Sequence, residues 1–217
     1  MDDTYLKEIP EDAVSVSMLK NVYNYYKYNY EPPKPSASMQ FGTLLHESVL
    51  NDRGDFVSHR EQWKRLKLVG DVEIRKVADL NGVMVTGKAD ILSKHKLWDL
   101  KTTTTSLKED ALIGAARKFL YFMQIAAYKK IFQKRYAGIV WTKNYKSHQQ
   151  YLLSRPPTRY FFKMPIGKEF LKEGQEQLSF ALDIAKDLKL KKKDFVPIGN
   201  TYGFIQKINA KRQAIML

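Results

Sequence analysis

Between Gly82 and Lys101 the chain carries two short β-branched, apolar runs divided by a polar stretch, and no other feature constrains the fold as strongly. Gly82–Leu92 and Leu97–Thr102 are rich in valine, isoleucine, leucine and threonine, with Ser93-Lys-His-Lys96 between them. Closed as a β-hairpin, whether by a two-residue or a four-residue loop, the runs take one register: Leu92 opposite Leu97 and Asp90 opposite Asp99. Directly opposed side chains have Cβ atoms about 4.5–5.5 Å apart, and like charges placed there repel. The strand period of two puts Lys101 on the face of Asp99. A bulge would break this facing register.

Two opposed carboxylates call for a cation between them. Their oxygens suit one or two Mg²⁺ or Mn²⁺ ions, which need few protein carboxylates and keep waters or phosphate oxygens as further ligands. A lysine beside them is placed to orient or deprotonate an attacking water, or to neutralise charge building on a phosphate. Asp90, Asp99 and Lys101 are therefore the candidate catalytic residues of a phosphodiester-cleaving site. Taken alone, the same residues also fit a solvent-facing hairpin on which Lys88 and Lys101 balance two aspartates.

Charge narrows the partners. The 217 residues hold 37 Lys and Arg against 23 Asp and Glu, a formal net charge of +14. Such a field favours a polyanion, whether DNA, RNA or an anionic membrane surface, through counterion release and steering. There is no cysteine, which excludes a disulfide framework, a cysteine nucleophile, zinc–thiolate sites and an iron–sulfur cluster. No run approaches the length of a membrane span, and Met1-Asp-Asp3 is unlike a secretory leader, so a soluble, cytoplasmic protein without a membrane partner is expected. The length fits one domain over residues 1–217: a helical arm (1–37), a core (38–165), and a helix with a basic tail (166–217).

Ser15-Val-Ser-Met-Leu-Lys20 opens a first helix running into Tyr23, Tyr25, Tyr26, Tyr28 and Tyr30, and Glu31-Pro-Pro-Lys-Pro-Ser36 ends it. These tyrosines fit a core or partner surface, or platforms for stacking single-stranded bases. A second helix covers about 38–51, with Met39, Leu44, Leu45, Val49 and Leu50 as its apolar stripe and Gly42 and His46 one turn apart. Residues 64–76 lead into an edge strand ending near Lys76. Past the hairpin, Ser106-Leu-Lys-Glu109 fits a capping box, Gly114 interrupts the helix it opens, and a longer helix spans about 118–135. Gln124 and Tyr128 share a face of that helix. Segments 137–142 and 159–164 read as strands divided by a polar loop with Lys143, Lys146 and His148. Residues 167–190 are helical, Lys191-Lys-Lys193 follows where cations suit the helix dipole, and 195–217 is mixed, basic and unassigned. The expected class is α/β in the mixed α+β sense: a central mixed sheet carrying the hairpin, flanked by helices. Thr102 to Thr105 fit either hydroxyl donors to a phosphate or a plain strand end, and Arg117, Lys118 and Lys191-Lys-Lys193 fit either solvated side chains or contacts to a DNA backbone.

Taken in order, Gly42-Thr-Leu-Leu-His46, Gly87-Lys-Ala-Asp90, Asp99-Leu-Lys101 and Gln124-Ile-Ala-Ala-Tyr128 resemble the PD-(D/E)XK nuclease superfamily. More narrowly they resemble its RecB-like and phage recombination exonuclease branch, over about residues 15–165. The resemblance implies a restriction-endonuclease-like core with His46, Asp90, Asp99 and the backbone carbonyl of Leu100 as metal ligands and Lys101 as the catalytic lysine. Gln124 and Tyr128 would support the site or touch the scissile strand, and Glu73 sits where several relatives carry an acidic residue near the sheet. The implied activity is a Mg²⁺- or Mn²⁺-dependent DNA exonuclease resecting ends 5′ to 3′ in phage-type recombination or repair, in the host cytoplasm if phage-encoded. Implied partners are DNA, a single-strand annealing or other recombination protein, and further copies of the chain in a ring around DNA. A single-strand-specific exonuclease and an inactive DNA-binding protein with a nuclease fold are the alternatives. The four cysteines of the iron–sulfur relatives and a Gly-x-x-x-x-Gly-Lys-Ser/Thr helicase loop are both absent. A neutral imidazole is needed for His46 to bind metal, so activity is expected to fall as pH drops through the histidine range.

Overall fold

The computed structural model describes residues 10–32, 36–54, 56–143, 160–198 and 201–215. The expected leader-unlike terminus Met1–Asp3, the breaker residues Pro33–Pro35, the loop residues Lys146 and His148, and the strand start at Arg159 lie outside the described residues.

A mixed sheet organises the chain. It contains β1 (Val14–Ser15), β2 (Asp71–Leu80), β3 (Val83–Leu92), β4 (Lys96–Thr103), β5 (Tyr136–Lys143) and β6 (Phe161–Pro165) in the order β1-β3-β4-β5-β6, with β2 also paired to β3. β4 and β5 run parallel, as do β1 and β3, and the other pairs are antiparallel. Because β2 covers β3 along its length, β1 and β4 must share the opposite edge of β3. There β1 takes Val85 and Thr86 while β4 takes Ile91 and Leu92. The edge from Gly87 to Asp90 is left between them.

The α-helices among the described residues are α1 (Val16–Tyr28), α2 (Ala37–Asn51), α3 (Val57–Arg65), α4 (Glu109–Lys118), α5 (Tyr121–Phe132), α6 (Lys168–Asp187) and α7 (Gly203–Ile215). Alternation along the strands divides the apolar residues between two faces. Leu97, Ile139 and Trp141 join the main core with Leu19 of α1, Ile125 of α5, Leu182 of α6 and Ile208 of α7. Leu100 and Val140 face the other way, into a smaller core with Phe41 and Leu45 of α2 and with Phe161. Among the described residues no helix is long and apolar enough to cross a membrane.

Several boundaries depart from the sequence reading, each for a local reason. β2 runs on to Leu80 rather than ending near Lys76, because Asn81 (φ 59°) and Gly82 (φ 81°) turn it tightly into β3. Both turn residues are left-handed, the requirement Asn-Gly meets in a type I′ hairpin. Gly114 lies inside α4, and the break falls at Phe119–Leu120, where Leu120 takes φ 53°. The capping box at Ser106 does not form: α4 starts after Lys108, and Ser106 Oγ instead accepts the Lys108 N–H at 3.1 Å in a local turn. Ser15 does cap α1, its Oγ accepting the Met18 N–H at 3.2 Å. The unassigned C-terminal stretch holds α7, tied back to α1 by Arg212 to the Tyr26 carbonyl and Tyr25 to Asn209.

Candidate active site

The hairpin closes in the expected register and then opens. The Ser93 N–H donates to the Lys96 carbonyl at 2.9 Å, and Leu92↔Leu97 and Ile91↔Trp98 pair. Backbone pairing stops there. Asp90 Oδ2 accepts the Leu100 N–H at 2.7 Å, so a side-chain oxygen takes the place of a strand carbonyl where β3 and β4 separate. Asp90 and Asp99 thus stand at the mouth of a fork rather than as a ladder pair. Across the other edge of β3, Glu73 has φ 56° inside β2, a conformation costly for a non-glycine residue in a strand. It is held there by Asn51 Nδ2 at 3.0 Å and by the Lys88 ammonium. Hydrogen bonds from Lys88 and Asn51 keep its carboxyl below the ordinary range.

Two glycines bring helices onto this fork. A Cβ on Gly42 would stand 3.0 Å from Thr102 Oγ1, so glycine lets α2 lie this close to β4 without displacing that side chain. One turn along α2, His46 Nδ1 then reaches to 3.8 Å from Asp90 Oδ2. A Cβ on Gly87 would meet the Tyr128 ring and Ile131 at 3.0 Å, so glycine admits α5 onto β3. That docking carries Gln124 and Tyr128 inward. Gln124 Nε2 donates to Asp99 Oδ1 at 3.3 Å and to Tyr128 Oη at 3.0 Å. Lys101 Nζ lies 2.6 Å from Asp99 Oδ2.

Burial sets the electrostatics. Asp99 is 1% exposed, and desolvation pushes its carboxyl up to about 6 despite the Lys101 charge. Asp90 is also raised by burial, with Lys101 and the Leu100 N–H opposing. Burial alone would lower Lys101, but Asp99 and Asp90 outweigh it and hold the ammonium charged well above the usual lysine range. Burial, with Lys101 adding to it, lowers His46 to about 4. The imidazole is therefore neutral far below the range in which the sequence reading expected it to protonate. Burial raises the Tyr128 phenol, and the Asp99 charge adds to the shift.

The structure brings together His46, Asp90, Asp99, Leu100, Lys101, Gln124 and Tyr128. Thr102 instead packs beneath Gly42 on the α2 side of β4. Arg117 is engaged by Glu173 at 3.1 Å, and Lys118 lies over the Phe119 ring. Two residues were not foreseen. Lys20 of α1 reaches Gln124 Oε1 at 3.4 Å, and its pKa is lowered to about 7 by burial and then by Lys101. Tyr121 lies with its ring centroid 4.6 Å from Lys20 Nζ and 5.1 Å from Lys101 Nζ. Tyr121 was within reach of sequence reasoning, since it precedes Gln124 by three residues on one helix face. Lys20 carries no such signal, because its position depends on how α1 packs.

Among the described residues no three His, Cys, Asp or Glu side chains converge closely enough to hold a metal ion. His46 Nδ1 stands 3.8 Å from Asp90 Oδ2, beyond hydrogen-bond distance. The aspartates themselves fit a hard divalent cation. They are buried carboxylate oxygens, hard donors of the kind such an ion takes, and the Lys101 ammonium already pairs with Asp99 Oδ2 at 2.6 Å.

No protein-family model matches the sequence, and no curated protein matches it. Solved structures do. An exonuclease candidate from Eubacterium rectale superposes with a TM-score of 0.54 at 16% identity, covering 82% of this chain and 81% of that one. A phage-related exonuclease from Haemophilus somnus 129PT superposes with a TM-score of 0.51 at 16% identity, covering 77% and 79%. The mixed sheet flanked by helices is thus the fold of these exonuclease structures, and it agrees with the superfamily that the four motifs resemble.

Proposed function

We propose that the protein hydrolyses DNA phosphodiester bonds as a Mg²⁺- or Mn²⁺-dependent exonuclease. The observation that carries this reading is the pair of buried aspartates at the open fork, with the Lys101 ammonium 2.6 Å from one of them. Burying like charges together is costly unless a cation compensates them. Asp90 and Asp99 would hold the ion, with His46 and the Leu100 carbonyl as neighbouring donors. A bound divalent ion supplies positive charge at the phosphate and a more acidic water.

The protein's own groups do the rest. Lys101, held protonated by the two aspartates, serves as a fixed cation for charge developing on the phosphate, and not as a base. Gln124 orients Asp99 through its amide N–H and is itself anchored by Tyr128 and Lys20. Arg117 and Lys118 offer cations to the backbone further from the reacting bond. The Gln124-x-x-x-Tyr128 helix and the fold of the two exonuclease structures favour attack from a DNA end. Resection from 5′ to 3′ for recombination, in an assembly with other copies and an annealing partner, follows from the resemblance.

A time course on duplex and single-stranded DNA, labelled at the 5′ or 3′ end, tests this in Mg²⁺, Mn²⁺ or EDTA. Metal-dependent release of label, early from 5′-labelled ends, is expected. Binding without cleavage in either metal would replace the enzyme with a DNA-binding protein of nuclease fold.

A further inference from the structure

A groove of about 860 Å³ runs between α1, the α4–α5 elbow and α6. Its inner end is Lys20 and Tyr121, and the Tyr121 ring is shared with Lys101. The groove therefore ends one aromatic ring away from Lys101 of the candidate active site. Its outer wall exposes aromatic surface: Tyr28 is 68% exposed, Tyr30 55% and Phe119 49%. Large apolar side chains clustered in the open mark a contact surface.

Charge and chemistry select the occupant. Of the lining residues, Lys20, Arg117 and Lys118 are basic, and Glu173, the one carboxylate among them, is engaged with Arg117. Asn21 and Asn24 add amides along the same face of α1. A cationic groove interleaved with exposed rings is the surface that takes single-stranded nucleic acid, because the backbone follows the charge and any base can stack on a ring. A duplex keeps its base faces inside its own stack and has none to offer Tyr28, Tyr30 or Phe119.

We propose that this groove seats the unpaired end of the DNA strand being cleaved, with bases against Tyr28, Tyr30 and Phe119 and a backbone phosphate at Lys20. The assignment rests on the nuclease reading and adds to it a place for a strand already separated from its complement. Of the tyrosines of the first helix and its end, it assigns stacking to Tyr28 and Tyr30, which are exposed, while Tyr25 belongs to the core.

The test is fluorescence anisotropy of the full chain in EDTA with a labelled oligo(dT) and a blunt duplex. Wild type is compared with the variant carrying Tyr28→Ala, Tyr30→Ala and Phe119→Ala, whose side chains are exposed enough to leave the fold intact. Stacking is worth about 1–3 kcal/mol per base, so oligo(dT) affinity should fall at least about tenfold and duplex affinity much less. Unchanged oligo(dT) binding overturns the proposal, as does an equal loss for duplex. Lys20→Met gives a second reading: a weaker salt dependence of oligo(dT) binding is expected, and an unchanged one contradicts the phosphate contact. Cleavage by wild type in Mg²⁺ separates the two failures. A protein that cleaves DNA but binds oligo(dT) independently of these rings has lost only the groove, whereas one that binds through them and cleaves nothing has lost only the nuclease reading.

Discussion

The two ends of the β3–β4 hairpin are built from the same kind of sequence and do opposite work. At the closed end, Leu92↔Leu97 and Ile91↔Trp98 pair by backbone, and Leu97 is fully buried. At the open end the ladder stops, a side chain substitutes for a backbone partner, and two aspartates are buried beside a lysine. The closed end lowers the free energy of the fold. The open end raises it, since the raised carboxyls of Asp90 and Asp99 mean that burial disfavours their charged forms. Such cost at one spot, on an otherwise consistent hairpin, is where function is expected.

The largest effect should come from Asp90→Asn. The amide oxygen still accepts the Leu100 N–H, while the charge is lost. Cleavage is expected to fall by at least about a thousandfold. Thermal stability at pH 8 should hold or rise, because a buried charge has been removed. A large drop in melting temperature would mean that the open end is structural after all. Leu97→Ala probes the closed end and should cost about 2–5 kcal/mol in denaturant unfolding. The turnover of the folded fraction should stay the same, and lost turnover at full folding would erase the distinction.

A third test uses His59, which lies in the smaller core with 0% exposure and has its pKa lowered by burial from 6.5 to about 4. Below pH 6.5 the unfolded chain takes up a proton that the native imidazole refuses. Stability from this residue is therefore present above 6.5 and lost as pH falls toward 4, by up to about 3 kcal/mol. His59→Phe should flatten the loss of stability between pH 7 and 4.5, without altering the pH dependence of cleavage. An unchanged stability slope would remove His59 from the account. The smallest effect is expected for Gly42→Ala, which pushes α2 from Thr102. Cleavage should drop about tenfold through displacement of His46, and full activity would show that the close approach of α2 is dispensable.

Much of the open end could be read from the chain because its chemistry is local. The strand period placed Lys101 beside Asp99, and the helical period placed Gln124 with Tyr128 and His46 one turn beyond Gly42. The hairpin register was also legible, but the fork was not, since nothing local marks where β3 and β4 part. Lys20 was hidden for the same reason: it reaches the site only through the packing of α1 on α5. The elbow at Leu120 went unseen because a leucine is a poor signal for a left-handed residue, and Gly114 was the better local candidate. α3 carries few apolar residues to mark a helical face, and its buried member is a histidine.

The central claim is that the open fork is catalytic, and Lys101→Met tests it most directly. Cleavage of end-labelled DNA in Mg²⁺ would be measured for the variant and wild type, with circular dichroism and DNA binding in EDTA as controls. Loss of cleavage by about a thousandfold, in a folded protein that still binds DNA, is the predicted result. Cleavage at the wild-type rate would contradict the account.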